Sequence, residues 1–288
     1  MHCWIMCKLC YKQPLPQPED TIGMKTKKII KASISTLLMT LCLAGLARAA
    51  DIKTQAEAIS IAAQQRTLTQ VMMKNYLFSA LGVRSRNADE QLAEVAQQFT
   101  AQQQQLADFV ADEGVQQQLA RMNQSWPSVQ KQFQRKPAKL RFKELFSGNE
   151  TLLTEADTML KKVVQAKPDD SAQPLSLLGQ QDLLCQRLAV LYAMTAWGVA
   201  SETDSSYESI ADELHKNMAL LQGLPQNTAE INEQLQQLSL ALERTLKVSK
   251  ARPGALLPAL VDRSVVKVAL QLEQLQTGYL SLTSAENS

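Results

Sequence analysis

Few residues in this chain have side chains that could carry out a reaction. His215 stands in "ADELHKNM", a helical context with no nucleophile beside it. Cys185 has Arg187 two residues on, which would matter to a thiolate only if the pair were exposed. No Gly-rich phosphate loop, HExxH or Cys/His metal spacing occurs. The sequence therefore predicts a protein that is not an enzyme and holds no metal and no cofactor. The chemistry left is that of charge and hydrogen bonding on helices. Arg66 with Gln70 sits in one apolar stretch, and Asp182 with Gln186 and Arg187 sits in a second.

Those two stretches are similar. At an offset of 116, residues 63–83 align with 179–199 and share eight identities in 21 positions. They are Gln64/Gln180, Gln65/Gln181, Leu68/Leu184, Gln70/Gln186, Tyr76/Tyr192, Ala80/Ala196, Gly82/Gly198 and Val83/Val199. A 4-3 spaced seam runs through Ile59, Ala63, Arg66, Gln70, Met73, Leu77 and Ala80. Its equivalent runs through Leu175, Gly179, Asp182, Gln186, Ala189, Ala193 and Ala196, mostly small residues that permit close helix approach. If the two helices pack on each other about an internal pseudo-twofold, Arg66 is expected to face Asp182 and Gln70 to face Gln186. Trp126 and Trp197 are expected as core anchors, Cys185 as a buried small hydrophobe, and most of the glutamines as surface residues.

Helices must position these residues. Beyond residue 49 the chain has 8 Gly, 7 Pro and 31 Gln in 239 residues, and period-two alternation is nearly absent. An all-α protein is predicted, a tandem of duplicated four-helix bundle-like units. Breakers place eight helices near 52–84, 88–112, 115–135, 149–165, 175–201, 206–222, 227–250 and 257–282. Residues 51–166 form the first unit, "KPDDSAQP" at 167–174 a linker, and 175–284 the second.

The start of the chain reads differently. Met24 opens a basic stretch, residues 34–46 are largely apolar, and Ala47-Arg48-Ala49 gives a small-x-small cleavage pattern. Residues 24–49 are expected to be a signal peptide cleaved after Ala49, giving an exported, periplasmic product. Residues 1–23, with Cys3, Cys7 and Cys10, are expected to precede the true start. From residue 50 onward one cysteine remains, so no disulfide framework is expected. Basic and acidic residues there number 23 and 26, which gives no overall basic footprint for nucleic acid.

"IAAQQRTLTQVMMKNYLFSALG", residues 61–82, resembles the opening helix of the N-terminal domain of type IV pilus methyl-accepting chemotaxis transducers. That domain is related to the periplasmic sensor domain of nitrate/nitrite sensor kinases. The resemblance covers about 22 residues in each half. It implies a helical bundle on the outer side of the inner membrane. It also implies an anion, such as nitrate or nitrite, bound by arginines of the first helix. The two family arginines fall on Arg66 and Val71 in the first half and on Asp182 and Arg187 in the second, so each half keeps a different one. Arg66, Gln70, Gln186 and Arg187 are the ligand candidates on this reading. An Arg66–Asp182 pair would instead neutralise the charge that an anion needs. The chain has no kinase and no methyl-accepting coiled coil, so a membrane-bound sensor or transducer is the expected partner. The rival expectation is a structural or protein-interaction module of an envelope or pilus-associated complex, with no small ligand.

Overall fold

Helix α1, Gln55–Ala80, is buried over 20 of its 26 residues, more than any one-faced amphipathic helix can be. It is therefore a central element with neighbours on several sides. The computed structural model describes residues 51–83, 85–250 and 257–286. The leader and cleavage site expected at 24–49, and the segment 1–23, lie outside the described residues. Thr54 opens α1 with a capping box: its hydroxyl accepts from Glu57 N–H at 3.1 Å, and the Glu57 carboxylate accepts from Thr54 N–H at 3.2 Å. The chain continues through α2 (Ser85–Phe109), α3 (Glu113–Phe133) and α4 (Lys139–Ala166). It then forms α5 (Ala172–Trp197), a 3-10 turn (Ala200–Glu202), α6 (Tyr207–Gln222), α7 (Ala229–Ser249) and α8 (Leu257–Glu286). The described residues contain no strand, so the fold is all-α. No helix among them is long and apolar enough to cross a membrane.

Two helix boundaries differ from expectation. Helix α4 starts at Lys139 and not near 149, because Gly148 does not break it: the glycine lies against Val129 of α3, whose Cγ2 would be 3.3 Å from an added Cβ. Helix α5 starts at Ala172, which brings Pro174 into its first turn, where a missing N–H costs nothing. The linker shrinks accordingly, and Asp169 folds back to accept from both Ser171 N–H and its hydroxyl.

Helix α1 packs against α2 and α4, and α3 against α4; likewise α5 packs against α6 and α8, and α7 against α8. The two central helices, α1 and α5, pack against each other. Ala63 meets Gly179 near their starts and Tyr76 meets Trp197 near their ends, so they run in the same direction.

The offset of 116 persists in local geometry. Gly82 (φ 67°) and Gly198 (φ 74°) both adopt the left-handed conformation that ends a helix. Val83 N–H donates to Phe78 C=O at 3.0 Å, and Val199 N–H to Met194 C=O at 2.9 Å, the same six-to-one bond in both halves. Asp112 and Thr228 cap α3 and α7 by accepting from Val115 and Ile231 N–H. The buried stripe of α3 (115, 119, 122, 126, 129, 133) maps onto that of α7 (231, 235, 238, 242, 245, 249). In α4 and α8, Phe142, Leu145, Leu152, Ala156, Met159 and Val163 map onto Pro258, Val261, Val268, Leu272, Leu275 and Tyr279, again all buried.

Candidate functional site

A polar band runs through the middle of this bundle, carried by α1 and α5. Its first members are two amides related by the offset of 116. Gln65 and Gln181 are both fully buried. Gln65 donates to Phe99 C=O (3.1 Å) and to the Gln102 amide oxygen (2.8 Å) on α2. Gln181 donates to Leu214 C=O (3.4 Å) on α6 and accepts from Asn217 at 2.5 Å. In each half one glutamine thus ties the first helix to the second through a carbonyl and through an amide three residues further on. Sequence reasoning placed most glutamines at the surface. These two are buried: Gln181 is bonded through both its amide nitrogen and its oxygen, and Gln65 through its nitrogen twice, which offsets part of the cost of burying a polar group.

The charged members come next. Arg66 is 5% exposed. Its Nη1 lies 2.9 Å from Asp157 Oδ1 on α4 and 3.2 Å from Gln180 Oε1. The expected pairing with Asp182 does not form. An added Cβ on Gly179 would lie 2.6 Å from Ala63 Cβ and 3.6 Å from Arg66 Nη2. The two backbones are too close there for a guanidinium to lie between them, so it leaves the seam sideways toward α4. The close approach of small residues itself is as the seam implied, and it occurs at equivalent positions, Ala63 and Gly179.

Arg187 and Gln70 do come together, on a carboxylate of the protein itself. Arg187 Nη2 and Nη1 lie 2.8 and 3.4 Å from the two oxygens of Glu150 on α4, and Gln70 Nε2 lies 3.4 Å from Glu150 Oε1. Ser205 also accepts from Arg187, at 3.2–3.3 Å. The crevice these residues share with Phe146 and Met194 has a volume of about 10 Å³, room for one water molecule. Gln186 is held elsewhere: it donates to Asp182 at 3.2 Å within its own helix. Of the four ligand candidates, the structure brings Gln70 and Arg187 to one point and keeps Arg66 and Gln186 apart from it.

Lys74 was missed by sequence reasoning. It is 5% exposed and lies 3.1 Å from Asp262 on α8. The signal was present: Arg66, Gln70 and Lys74 follow one another at i, i+4 and i+8, a polar line on a helix otherwise built for burial. Glu150 and Asp157, the anions that answer Arg187 and Arg66, share one face of α4 at a spacing of seven.

Asp182 lacks such a cation at contact distance. Desolvation raises its carboxyl above the ordinary range, against the opposing effects of the Gln186 hydrogen bond and the nearby Lys74 ammonium. A carboxyl whose folded pKa is raised costs stability when ionised, and that cost disappears as pH falls to the unfolded value. Asp182→Asn is therefore expected to raise the melting temperature at neutral pH by roughly 2 °C. Thermal unfolding followed across pH checks this, because the gain should shrink as pH falls toward 3.8.

The remaining reactive groups are quiet. Cys185 is fully buried, and burial, reinforced by Asp182, pushes its thiol well above the usual range. His215 lies on the surface, 2.8 Å from Glu243. Trp126 packs on Phe99 with ring centroids 4.8 Å apart as a buried core anchor, whereas Trp197, expected in the same role, is only partly buried and packs against the core on Phe142 at 5.5 Å. Among the described residues no group of His, Cys, Asp and Glu has metal-binding geometry. No family model, no curated protein and no solved structure matches the chain.

Proposed function

We propose that this is an exported helical module that binds a protein partner, a relative of sensor input domains in which the anion site has been closed by carboxylates of the chain itself. One observation carries the reading: Glu150 takes both guanidinium nitrogens of Arg187 together with the Gln70 amide. A carboxylate in that position makes the contacts a planar oxyanion would make. Asp157 meets Arg66 more simply, through one oxygen and one guanidinium nitrogen. Each half is read as one copy of a duplicated four-helix unit, on the common offset of caps, glycine turns and buried stripes. The pair then stands in for a dimer of sensor domains within one chain. On this reading the module acts in the periplasm, and its surface engages a membrane-bound sensor or an envelope complex. Large apolar side chains exposed on the second half, Leu220, Leu240, Leu260, Val266 and Leu270, support a role in partner contact.

The test is thermal unfolding in nitrate and in nitrite, with chloride at equal ionic strength as reference. A ligand that binds only the folded state raises the melting temperature by mass action. The wild-type protein is expected to show no specific rise. Glu150→Ala, which removes both the carboxylate and the side chain that fills the place beside Arg187, is expected to gain one. A specific rise in the wild type would overturn the partner-only reading and restore the small-anion sensor.

A further inference from the structure

Between Lys131 and Lys143, at the turn that joins α3 to α4, six of thirteen residues are basic and none is acidic. Lys131, Arg135, Lys136, Lys139, Arg141 and Lys143 are all exposed. From residue 50 onward, the rest of the chain carries 17 basic residues against 26 acidic. The turn is therefore a concentrated positive patch on an acidic body.

At the centre of the patch stands Leu140, 96% exposed. Nothing in the local structure lets it turn inward. Its neighbour Phe142 is fully buried against Trp197, and Phe133 is buried against Tyr76. The Tyr76 hydroxyl accepts from Ala138 N–H at 3.3 Å, and Arg141 Nη2 donates to Lys136 C=O at 3.1 Å. These contacts fix the turn so that Phe142 points into the core and Leu140 out of it. A leucine held out in water with no internal partner gives up burial that almost any other arrangement would recover.

We propose that this turn is a docking surface for an anionic lipid membrane, with Leu140 entering the boundary of the acyl chains and the six cations meeting the phosphates. The charge complementarity argues for the lipid surface, since each cation held near such a surface strengthens binding roughly fivefold and the long Lys and Arg stems reach past an inserted leucine to the headgroups. The leucine argues for lipid over nucleic acid. A phosphate backbone has use for the cations and offers nothing apolar to Leu140, and the turn presents no aromatic ring for a base to stack on. The inference stands on the turn alone, independent of any ligand of the central band.

Flotation of the purified full chain with vesicles tests it. Binding is expected to vesicles of phosphatidylcholine mixed with phosphatidylglycerol, and not to phosphatidylcholine alone. The triple variant Lys136→Glu, Lys139→Glu, Lys143→Glu is expected to weaken binding by more than about a hundredfold, since it removes three cations and adds three anions. It should keep its fold, since acidic residues at the start of α4 suit the helix dipole, and circular dichroism melting checks this. Leu140→Gln, which keeps every charge, is expected to weaken binding roughly tenfold. Equal binding of wild type and both variants overturns the proposal, as does equal binding to neutral and anionic vesicles. Binding that Leu140→Gln leaves unchanged, and that soluble polyglutamate or heparin matches, also overturns it and makes the patch a general polyanion site.

Discussion

Gly179→Ala is expected to destabilise the protein by about 3 kcal/mol, although alanine is the better helix former by about 1 kcal/mol. The cause is the crossing of α1 and α5. The new methyl would lie 2.6 Å from the methyl of Ala63, and an alanine has no rotamer by which to yield. The two central helices would have to part, and the Arg66–Asp157 contact beside the crossing would move with them. Gly179→Val adds two more methyls at the same point and is expected to leave little cooperative folding, given a total stability of about 5–15 kcal/mol for a typical domain. The compensating change is Ala63→Gly. In the Gly179→Ala background it should return about 3 kcal/mol, the relief of a clash of about 4 kcal/mol less the helix cost of about 1 kcal/mol for the second glycine. Urea unfolding of the two single variants and the double variant reads all three numbers. A Gly179→Ala protein more stable than wild type would mean that the helices are not in contact there.

That crossing was legible in the sequence, and the way it was legible has a physical basis. Small residues at a 4-3 spacing inside a long apolar helix have no use except close approach, so the seam around Gly179 announced a helix partner. The equivalence of Ala63 and Gly179 then identified that partner. Past the first helix only scattered identities remain at the offset of 116, among them Gln118/Gln234 and Leu119/Leu235, yet the buried positions still correspond: Trp126 answers Leu242 and Phe142 answers Pro258. Packing constrains which positions are covered far more tightly than which apolar residue covers them, so comparison by identity loses a signal that burial keeps. The pairing of charges was the illegible part. Arg66 and Asp182 are equivalent in sequence, but partners are chosen by where a long side chain can leave a crowded crossing. That depends on α4, whose Asp157 lies 91 residues from Arg66 along the chain. The exposed Leu140 was hidden for a similar reason. Within "KPAKLRFK" the pattern alone does not say which of Leu140 and Phe142 faces the core.

The Arg66–Asp157 pair should respond very unequally to loss of its two members. Asp157→Asn is expected to cost about 3 kcal/mol, because it leaves a guanidinium that is 5% exposed with Gln180 as its remaining side-chain acceptor. Arg66→Met is expected to cost only about 1 kcal/mol. Asp157 is about a third exposed and keeps Lys161 at 2.6 Å, while methionine fills much of the arginine stem's volume. The double variant should then match Arg66→Met, since no buried charge is left unpaired. Chemical denaturation measures the cycle, and equal costs for the two single variants would refute the asymmetry. The pH dependence gives an independent reading. Desolvation pushes the Asp157 carboxyl up, but hydrogen bonds from Lys161 and Arg66 and their charges outweigh it, so its pKa lies below the ordinary 3.8. A depressed carboxyl contributes stability that is present above the unfolded pKa and lost as pH falls through the folded one. The gap between wild type and Asp157→Asn should therefore hold from neutral pH down to about 4 and close below it. Asp182 has the opposite slope, because its carboxyl is raised. The two aspartates, one answered by cations and one left largely to an amide, make the acid limb of the stability curve a direct report on which of the aligned positions 66 and 182 has a counter-charge.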